Sequence, residues 1–449
     1  MRHEGQNGRS LAALFAALVL AGCGGGGEEA RSGGGPVEVT RSAFGVLGRD
    51  ETPRADEAPA LDPAMQDGST SETISALLAR RSVLAPGPLR QVADAVLAAN
   101  SRSAEAELRA AALRSEAAQR NWLPRIGPQV SLTSLGAVAS SLLLDAVLYD
   151  HGGRVAERDY ARADVEVAAV RLAQDTNVRV LTALELYLEA EAARGRAAVT
   201  EAALVRMRRF DHVMEERMAA GVSDRADRQV VGQKLSRMEA ELATDREVAA
   251  TALAELQAMA AGPVGGLSGL SPVSEPPPGT APLSVLKAEA EAQRAEAEAR
   301  VARAGQLPGV GAGADLAGGS GGLTAGGEGF GLGTRARMQA IDAAREAAQG
   351  ELAEARETAA RELGQMTGRL ASAERRATEA ADLARQAGET WRLQQAQFEA
   401  GRKSVTEVIG AFEATVRAER EAVTAAREAQ LLRLRLAARA GVLVDGERM

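Results

Sequence analysis

Two short stretches decide the fold: "MAAGVSDRAD", Met218–Asp227, and "FEAGRKSVTE", Phe398–Glu407. Each sets Ala-Gly, then a small polar residue, between two long, charged, Ala-rich runs. Gly221 and Gly401 stand where a helix should end, because glycine tolerates the left-handed conformation of a helix C′ position. Ser223 and Ser404 suit the N-cap of a returning helix. Asp227 and Glu407 bring negative charge to its first turn, where the helix dipole favours it. Ser404 and Glu407 have capping-box spacing, and the first stretch does not. Both stretches therefore read as tips of helical hairpins.

Working outward, the spacing repeats. From Gly153 to Gly221 is 68 residues, and from Gly333 to Gly401 is also 68. "NWLPRIG" at Asn121 is echoed by "GQLPGVG" at Gly305, and "YDHGGRVAERDYA" at Tyr149 by "FGLGTRARMQAID" at Phe330. A duplication of one helical unit explains this. No proline falls between Pro128 and Pro263, and none after Pro308. A proline inside a helix costs about 3 kcal/mol, so both long spans are expected to be helical. Val167, Val170, Gln174, Asn177, Leu181, Leu184 and Leu188 follow alternating steps of three and four, a heptad seam with two polar positions. Val405, Ile409, Phe412 and Val416 keep the same rhythm after the second tip. At about 1.5 Å per residue, each long helix should reach roughly 100 Å. Gly195, Gly364 and Gly368 weaken the pattern by about 1 kcal/mol each relative to Ala without breaking it.

Composition agrees. Among 449 residues, aromatics are only 2 %, too few for an ordinary globular core of this size. Ala, Glu, Arg and Leu dominate instead, as in coiled coils. The net charge is −8 and no Lys/Arg block stands alone, which argues against nucleic acid as a partner.

The N-terminus reads as a targeting segment. Arg2 and Arg9 supply positive charge ahead of "LAALFAALVL", an apolar run too short for a mature membrane span. "LAGC", Leu20–Cys23, resembles the lipobox of bacterial lipoproteins, which makes Cys23, the single cysteine, the expected acylation site. The expected organisation is a lipoprotein signal over 1–22, a flexible acylated tether over 23–85, a first repeat over 86–262, a Pro/Gly linker over 263–282 and a second repeat over 283–449. Each repeat contains a helix, a strand pair, a long helix, a tip and a return helix.

The strand pairs come from the other end of each long helix. "QVSLTS" alternates apolar and polar residues, and "SLLLDAVLY" follows it. In "VGAGADLA", Val310, Ala312, Ala314 and Leu316 share one side. Period two is the strand signal. A membrane strand needs about 9 to 11 residues, so each segment has room for two strands and a short loop. Four strands cannot close, and open edges do not survive in lipid. Two copies would supply eight strands around an interior filled by side chains, and three would supply twelve and leave room for a lumen. "GGSGGLTAGGEGFGLG" is a poor strand by propensity. Tyr149 and Phe330 are the obvious aromatic candidates for a membrane interface.

Together the Leu-Pro before each strand pair, the Gly-Gly after the first, the two tips, "VGQKLSRMEAEL" at Val231 and the closing "AARAGVL" at Ala437 resemble the TolC-like outer-membrane channel family. The resemblance covers roughly residues 89 to 445. It implies a mainly α fold with a small β part: long antiparallel hairpins in a coiled-coil α-barrel, plus two strand pairs per protomer in a trimeric membrane β-barrel. It implies a homotrimer in outer-membrane lipid, with a periplasmic adaptor and an inner-membrane transporter as partners. Gly221, Val222 and Ser223, with Gly401, Arg402 and Ser404, would then form the docking tip, and Asp224 and Asp227 would be aperture acids. The Pro-rich middle segment, where that family carries equatorial helices, reads as unstructured. The alternative is a lipid-anchored periplasmic coiled-coil scaffold or adaptor without a pore.

Signals for catalysis are not found. His3 lies in the signal, and His151 and His212 have no second His or Cys at ligand spacing. "YDHGGR" reads as a turn at a strand-to-helix junction. "GRKS", Gly401–Ser404, lacks the Gly-Lys step of a phosphate-binding loop, and Ala396 stands where its first glycine is required. No catalytic residue, metal ligand or cofactor is expected.

Overall fold

The computed structural model describes residues 71–99, 103–134, 137–221, 225–315, 320–326 and 331–449, all within one compact unit. The signal, Cys23 and the stretch up to residue 70 lie outside the described residues, as do Phe330 and the central residues of the first tip, Val222, Ser223 and Asp224.

Two hairpins form the frame. Helix α4, Gly153–Ala219, runs for 67 residues and returns as α5, Arg225–Met259. Helix α7, Thr334–Glu399, runs for 66 residues and returns as α8, Val405–Arg439. Both return helices have 35 residues. The duplicated spacing is thus a duplicated hairpin. Helices α3, Ser103–Gln119, and α6, Leu283–Gly305, precede the two strand pairs and pack on α4. No helix among the described residues is long and apolar enough to cross a membrane.

The heptad seam in α4 is real but is only part of the buried surface. Val167, Val170, Asn177, Leu184 and Leu188 are buried, and so are Val165, Leu172, Ala173, Val180, Ala183 and Tyr187 on neighbouring faces. Helix α4 touches α2, α3, α5, α6 and α8, so one stripe cannot serve every neighbour. Asn177, a polar seam position, is satisfied by backbone: its amide donates to the Ala173 carbonyl at 2.8 Å, and its Oδ1 accepts from Leu443 N–H at 3.1 Å. At Gly195 an added Cβ would lie 3.0 Å from Val423 Cγ1, so this mid-helix glycine lets α8 approach.

The expected tether proves too long. Residues 71–85 are folded: Ser71 caps the short helix α1, Glu72–Leu78, whose Ile74 and Leu77 are buried. They join α2, Pro88–Ala98, and the C-terminal Val442, Leu443 and Val444 in the main core. The apolar spacing of "ETISALL" is a single turn long, too short to stand out beside an acid-rich stretch. Arg80 fastens this region. Its guanidinium donates to the Ala281 carbonyl at 2.9 Å and to the carbonyl of Ala440 at the end of α8. Burial lowers its pKa to about 10, so it stays a cation at the negative end of the helix dipole.

The Pro/Gly linker also departs from expectation. It forms no helix, yet it is held. Val273 bridges to Leu84, Val264 is buried, and Arg194 donates to the carbonyls of Leu267 and Gly265. Tyr187 donates its hydroxyl to the Gly269 carbonyl at 2.8 Å, and burial pushes its pKa up to about 12. Proline-rich chain cannot fill a ladder of its own, but its carbonyls still accept from side chains on α4.

The four strands form one antiparallel sheet in chain order: β1, Arg125–Ser134; β2, Ala137–Tyr149; β3, Gly309–Asp315; β4, Ser320–Gly326. The two strand pairs therefore join through β2 and β3, and β1 and β4 are the edges. The glycine-rich segment is a strand pair because backbone bonds alone suffice there. Close approach even demands glycine: a Cβ at Gly309 would lie 3.0 Å from the Tyr149 carbonyl, and one at Gly311 would lie 3.0 Å from Thr324 Oγ1.

Candidate functional site

The second tip is built by local rules. Gly401 has φ +74, its N–H donates to the Phe398 carbonyl at 2.9 Å, and Arg402 N–H donates to the Gln397 carbonyl at 2.8 Å. This is a Schellman motif. Ser404 then caps α8. Its Oγ accepts from Glu407 N–H at 3.3 Å, while Glu407 Oε2 accepts from Ser404 N–H at 3.0 Å. Lys403 donates to the other carboxylate oxygen at 2.6 Å. The side chain of Arg402 is exposed. At the first tip Gly221 has φ +76 and donates to the Met218 carbonyl at 3.0 Å. Asp227 lies in the first turn of α5 and is half-buried; Asp224 falls outside the described residues.

The Glu407 carboxyl is held down to about 2, first by the Lys403 ammonium and then by the Ser404 N–H and hydroxyl. A carboxyl lowered on folding stabilises the folded tip above its unfolded value and loses that contribution as pH falls through the folded value. Acidification from pH 4.5 toward 2 should therefore loosen the start of α8. Hydrogen exchange at Val405–Ile409, corrected for the intrinsic rate, should speed up over that window. Glu407→Gln should remove the dependence, and a pH-independent wild type would refute it.

Beneath the tips lies one apolar cluster. Met207 and Met214 of α4 and Val231 and Met238 of α5 pack with Phe398 of α7 and Val405, Ile409 and Phe412 of α8. The rings of Phe210 and Phe398 are 5.3 Å apart, as are those of Trp391 and Phe412. Arg217 sits 5.0 Å over Phe398, and Arg206 sits 5.4 Å over Trp391. Three of the six phenylalanines and one of the two tryptophans lie here, so an aromatic-poor chain spends its large rings on fixing one tip against the other.

Farther from the tips lies an ionic chain that sequence reasoning missed. Asp245 of α5 is buried. Its Oδ1 accepts from Arg196 Nε of α4 at 2.9 Å, and its Oδ2 accepts from Arg420 of α8. Arg420 also donates to Thr200 Oγ1 at 2.7 Å. Arg196 reaches Glu189 at 3.7 Å, and Glu189 pairs with Arg427. Charges of alternating sign thus link three helices. A clue was present: Asp245 falls in the buried series Met238, Leu242, Asp245, Ala249, Ala252, where the heptad rhythm calls for an apolar residue.

At the opposite end the strand register sorts the sheet into two faces. Directly paired residues share a face and neighbours alternate. Ile126 pairs with Leu144 and Leu144 with Ala314; Ala146 pairs with Ala312 and Ala312 with Leu323; Tyr149 pairs with Val310 and Val310 with Ala325. This face is apolar. The other carries the charges: it holds Arg125 opposite Asp145, Asp145 opposite Gly313, and Gly311 between Val147 and Thr324, with Asp315 beyond. Among the described residues no group of three or more His, Cys, Asp or Glu could hold a metal ion. His151 is part of a turn: it has φ +54, and its Nε2 lies 3.1 Å from the Pro308 carbonyl oxygen.

Known structures share this fold. A membrane protein from Pseudomonas aeruginosa aligns with a TM-score of 0.69 and 20% identity, covering 81% of this chain and 92% of that one. The outer-membrane protein VceC of Vibrio cholerae aligns at 0.67 and 17%, covering 79% and 96%. The fold is that of the TolC-like outer-membrane channels. The open-state MtrE channel of Neisseria gonorrhoeae aligns at 0.65 and 17%, covering 84% and 94%. No protein-family model and no curated protein matches the sequence. At this identity the TolC-like likeness speaks for the fold, and the fold places both tips at one end of the hairpins and the sheet at the other.

Proposed function

We propose that the chain is one protomer of a passive outer-membrane duct that exports solutes driven by a partner transporter. The two-faced sheet with two open edges carries this reading. An apolar face suits lipid, a polar face suits a water-filled lumen, and unpaired edges at β1 and β4 need partners inside a membrane. Three copies would close twelve strands, with β4 of each against β1 of the next. The paired tips would then gather at the far end, where a periplasmic adaptor joined to an inner-membrane pump docks on Gly221, Val222, Ser223, Gly401, Arg402 and Ser404. Asp224 and Asp227 would stand beside the aperture. Acylation of Cys23 would tether the chain to the same membrane. A pore-free scaffold would keep the hairpins but would have no use for a sheet with one apolar and one polar face.

Reconstituted protein should conduct ions in planar bilayers, and it should need detergent for extraction even when Cys23 is replaced and the signal exchanged. Silent bilayers with verified insertion, or a soluble monomer without the lipid, would favour the scaffold.

A further inference from the structure

The helical body holds two separate apolar cores. On α4 the sheet-side core ends at Leu188 and the tip-side core begins at Ala197. On α5 the corresponding limits are Leu256 and Leu242, and on α8 they are Leu434 and Val416. Between these limits every buried residue of the three helices is alanine, with the single exception of Asp245. At this level Gly195 lets α8 approach α4, Arg196 and Arg420 converge on Asp245, and Glu189 pairs with Arg427. Helix α7 is tied to α8 beside it by ion pairs, Arg376 to Glu428 at 2.9 Å and Arg433 to Glu374 at 2.6 Å.

Large side chains interlock and resist sliding. Alanine and glycine present a smoother surface and bury less area, so helices shift past one another there at smaller cost. Ion pairs on long side chains follow such a shift by changing rotamer. Buried charges add little stability over an apolar set of equal volume, so stability alone does not call for them here. The tip-side core is different. It interlocks both hairpins through Met207, Met214, Met238, Phe398 and Phe412, and Lys234 of α5 meets Glu413 of α8 at 2.8 Å. The hairpins are thus joined to each other at the tips more firmly than the tip half is joined to the sheet half.

We propose that the belt around Asp245 is a joint, about which the tip half of the protomer, both hairpins together, swings as one body relative to the half that carries the sheet. From Arg225 at the start of α5 to Asp245 is 20 residues, or about 30 Å. A bend of about 10° at the belt therefore carries the tips roughly 5 Å without parting the hairpins. Hinge and shear motions are of this kind, with rigid bodies moving about a thin level between them. Only the consequence for docking and passage rests on the duct reading; the joint itself belongs to the helices.

Single-particle imaging of the full chain in detergent tests this. Wild-type images should spread over a range of angles between the two halves, while the spacing of the hairpins near Phe210 and Phe398 stays fixed. Two variants should narrow that range at least about twofold. One carries Arg196→Met, Asp245→Leu and Arg420→Met, which fuses the two cores. The other carries Gly195→Cys and Val423→Cys, where the close approach of the helices lets a disulfide clamp α4 to α8. Reduction of that disulfide should restore the wild-type range, which supplies a folding control if the apolar set packs badly. A wild type as straight at the belt as within either half would overturn the joint. Hairpins that part at Phe210 and Phe398 while the belt stays straight would overturn it too. The angles are read from the images alone, so a failed joint is told apart from a failed duct, which shows as silent bilayers.

Discussion

Asp245→Ala is expected to destabilise the helical body by about 3–5 kcal/mol, the usual cost of breaking a buried ion pair by removing one partner. The reason lies in what remains. Arg196 and Arg420 both reach Asp245 from facing helices, and their side chains are only 16% and 21% exposed. Without the carboxylate, two guanidinium groups face one another with little water. Urea unfolding followed by the helical signal should shift to clearly lower denaturant. Asp245→Asn should fall between, since the amide oxygen still accepts one hydrogen bond. Replacing Arg196, Asp245 and Arg420 together with Met, Leu and Met should recover most of the loss, because an apolar set of similar volume leaves no charge stranded. If Asp245→Ala matched wild type, the ionic chain would be decoration.

Gly401→Pro should open the second tip. Gly401 holds φ +74 and donates its N–H to the Phe398 carbonyl. Proline is fixed near φ −65° and has no N–H, so it can supply neither. The Schellman motif fails, and with it the entry of the chain into the Ser404 cap. A forbidden backbone region and a lost hydrogen bond together amount to about 3 kcal/mol, or on the order of a hundredfold faster hydrogen exchange around Gln397–Glu407. The α4–α5 hairpin should keep its protection, and overall helicity should fall little. Gly401→Ala, with a left-handed cost of about 1–2 kcal/mol, should give a milder version. If the tip is where an adaptor docks, Gly401→Pro should also abolish export in cells. Normal export would separate the turn from docking.

Much of the frame was legible because it follows local rules. Glycine at C′, serine at the N-cap and the absence of proline act within a few residues, so both tips and both long helices could be read directly. Period-two alternation did the same for β1 and β2. The glycine-rich β3 and β4 were the harder case. Their ladder depends on backbone groups every residue carries, and the need for glycine at Gly309 and Gly311 comes from neighbours, Tyr149 and Thr324, that are distant or across a turn. Residues 71–85 escape a local reading for a related cause: Ile74 and Leu77 are ordered by a core that includes Leu443 and Val444, hundreds of residues along the chain.

The repeat, the equal hairpins, the two bends and the first strand pair follow from the sequence alone, since each is set by φ, ψ and hydrogen bonds between near neighbours. Only the tertiary structure decided which charges meet and which face of the sheet is apolar. Arg196, Asp245 and Arg420 come together across three helices, and the pairing of β2 with β3 crosses more than 150 residues. Such contacts depend on how helices rotate against one another and on which residue opposes which in a ladder. A one-residue slip would exchange the two faces, and no local preference forbids it.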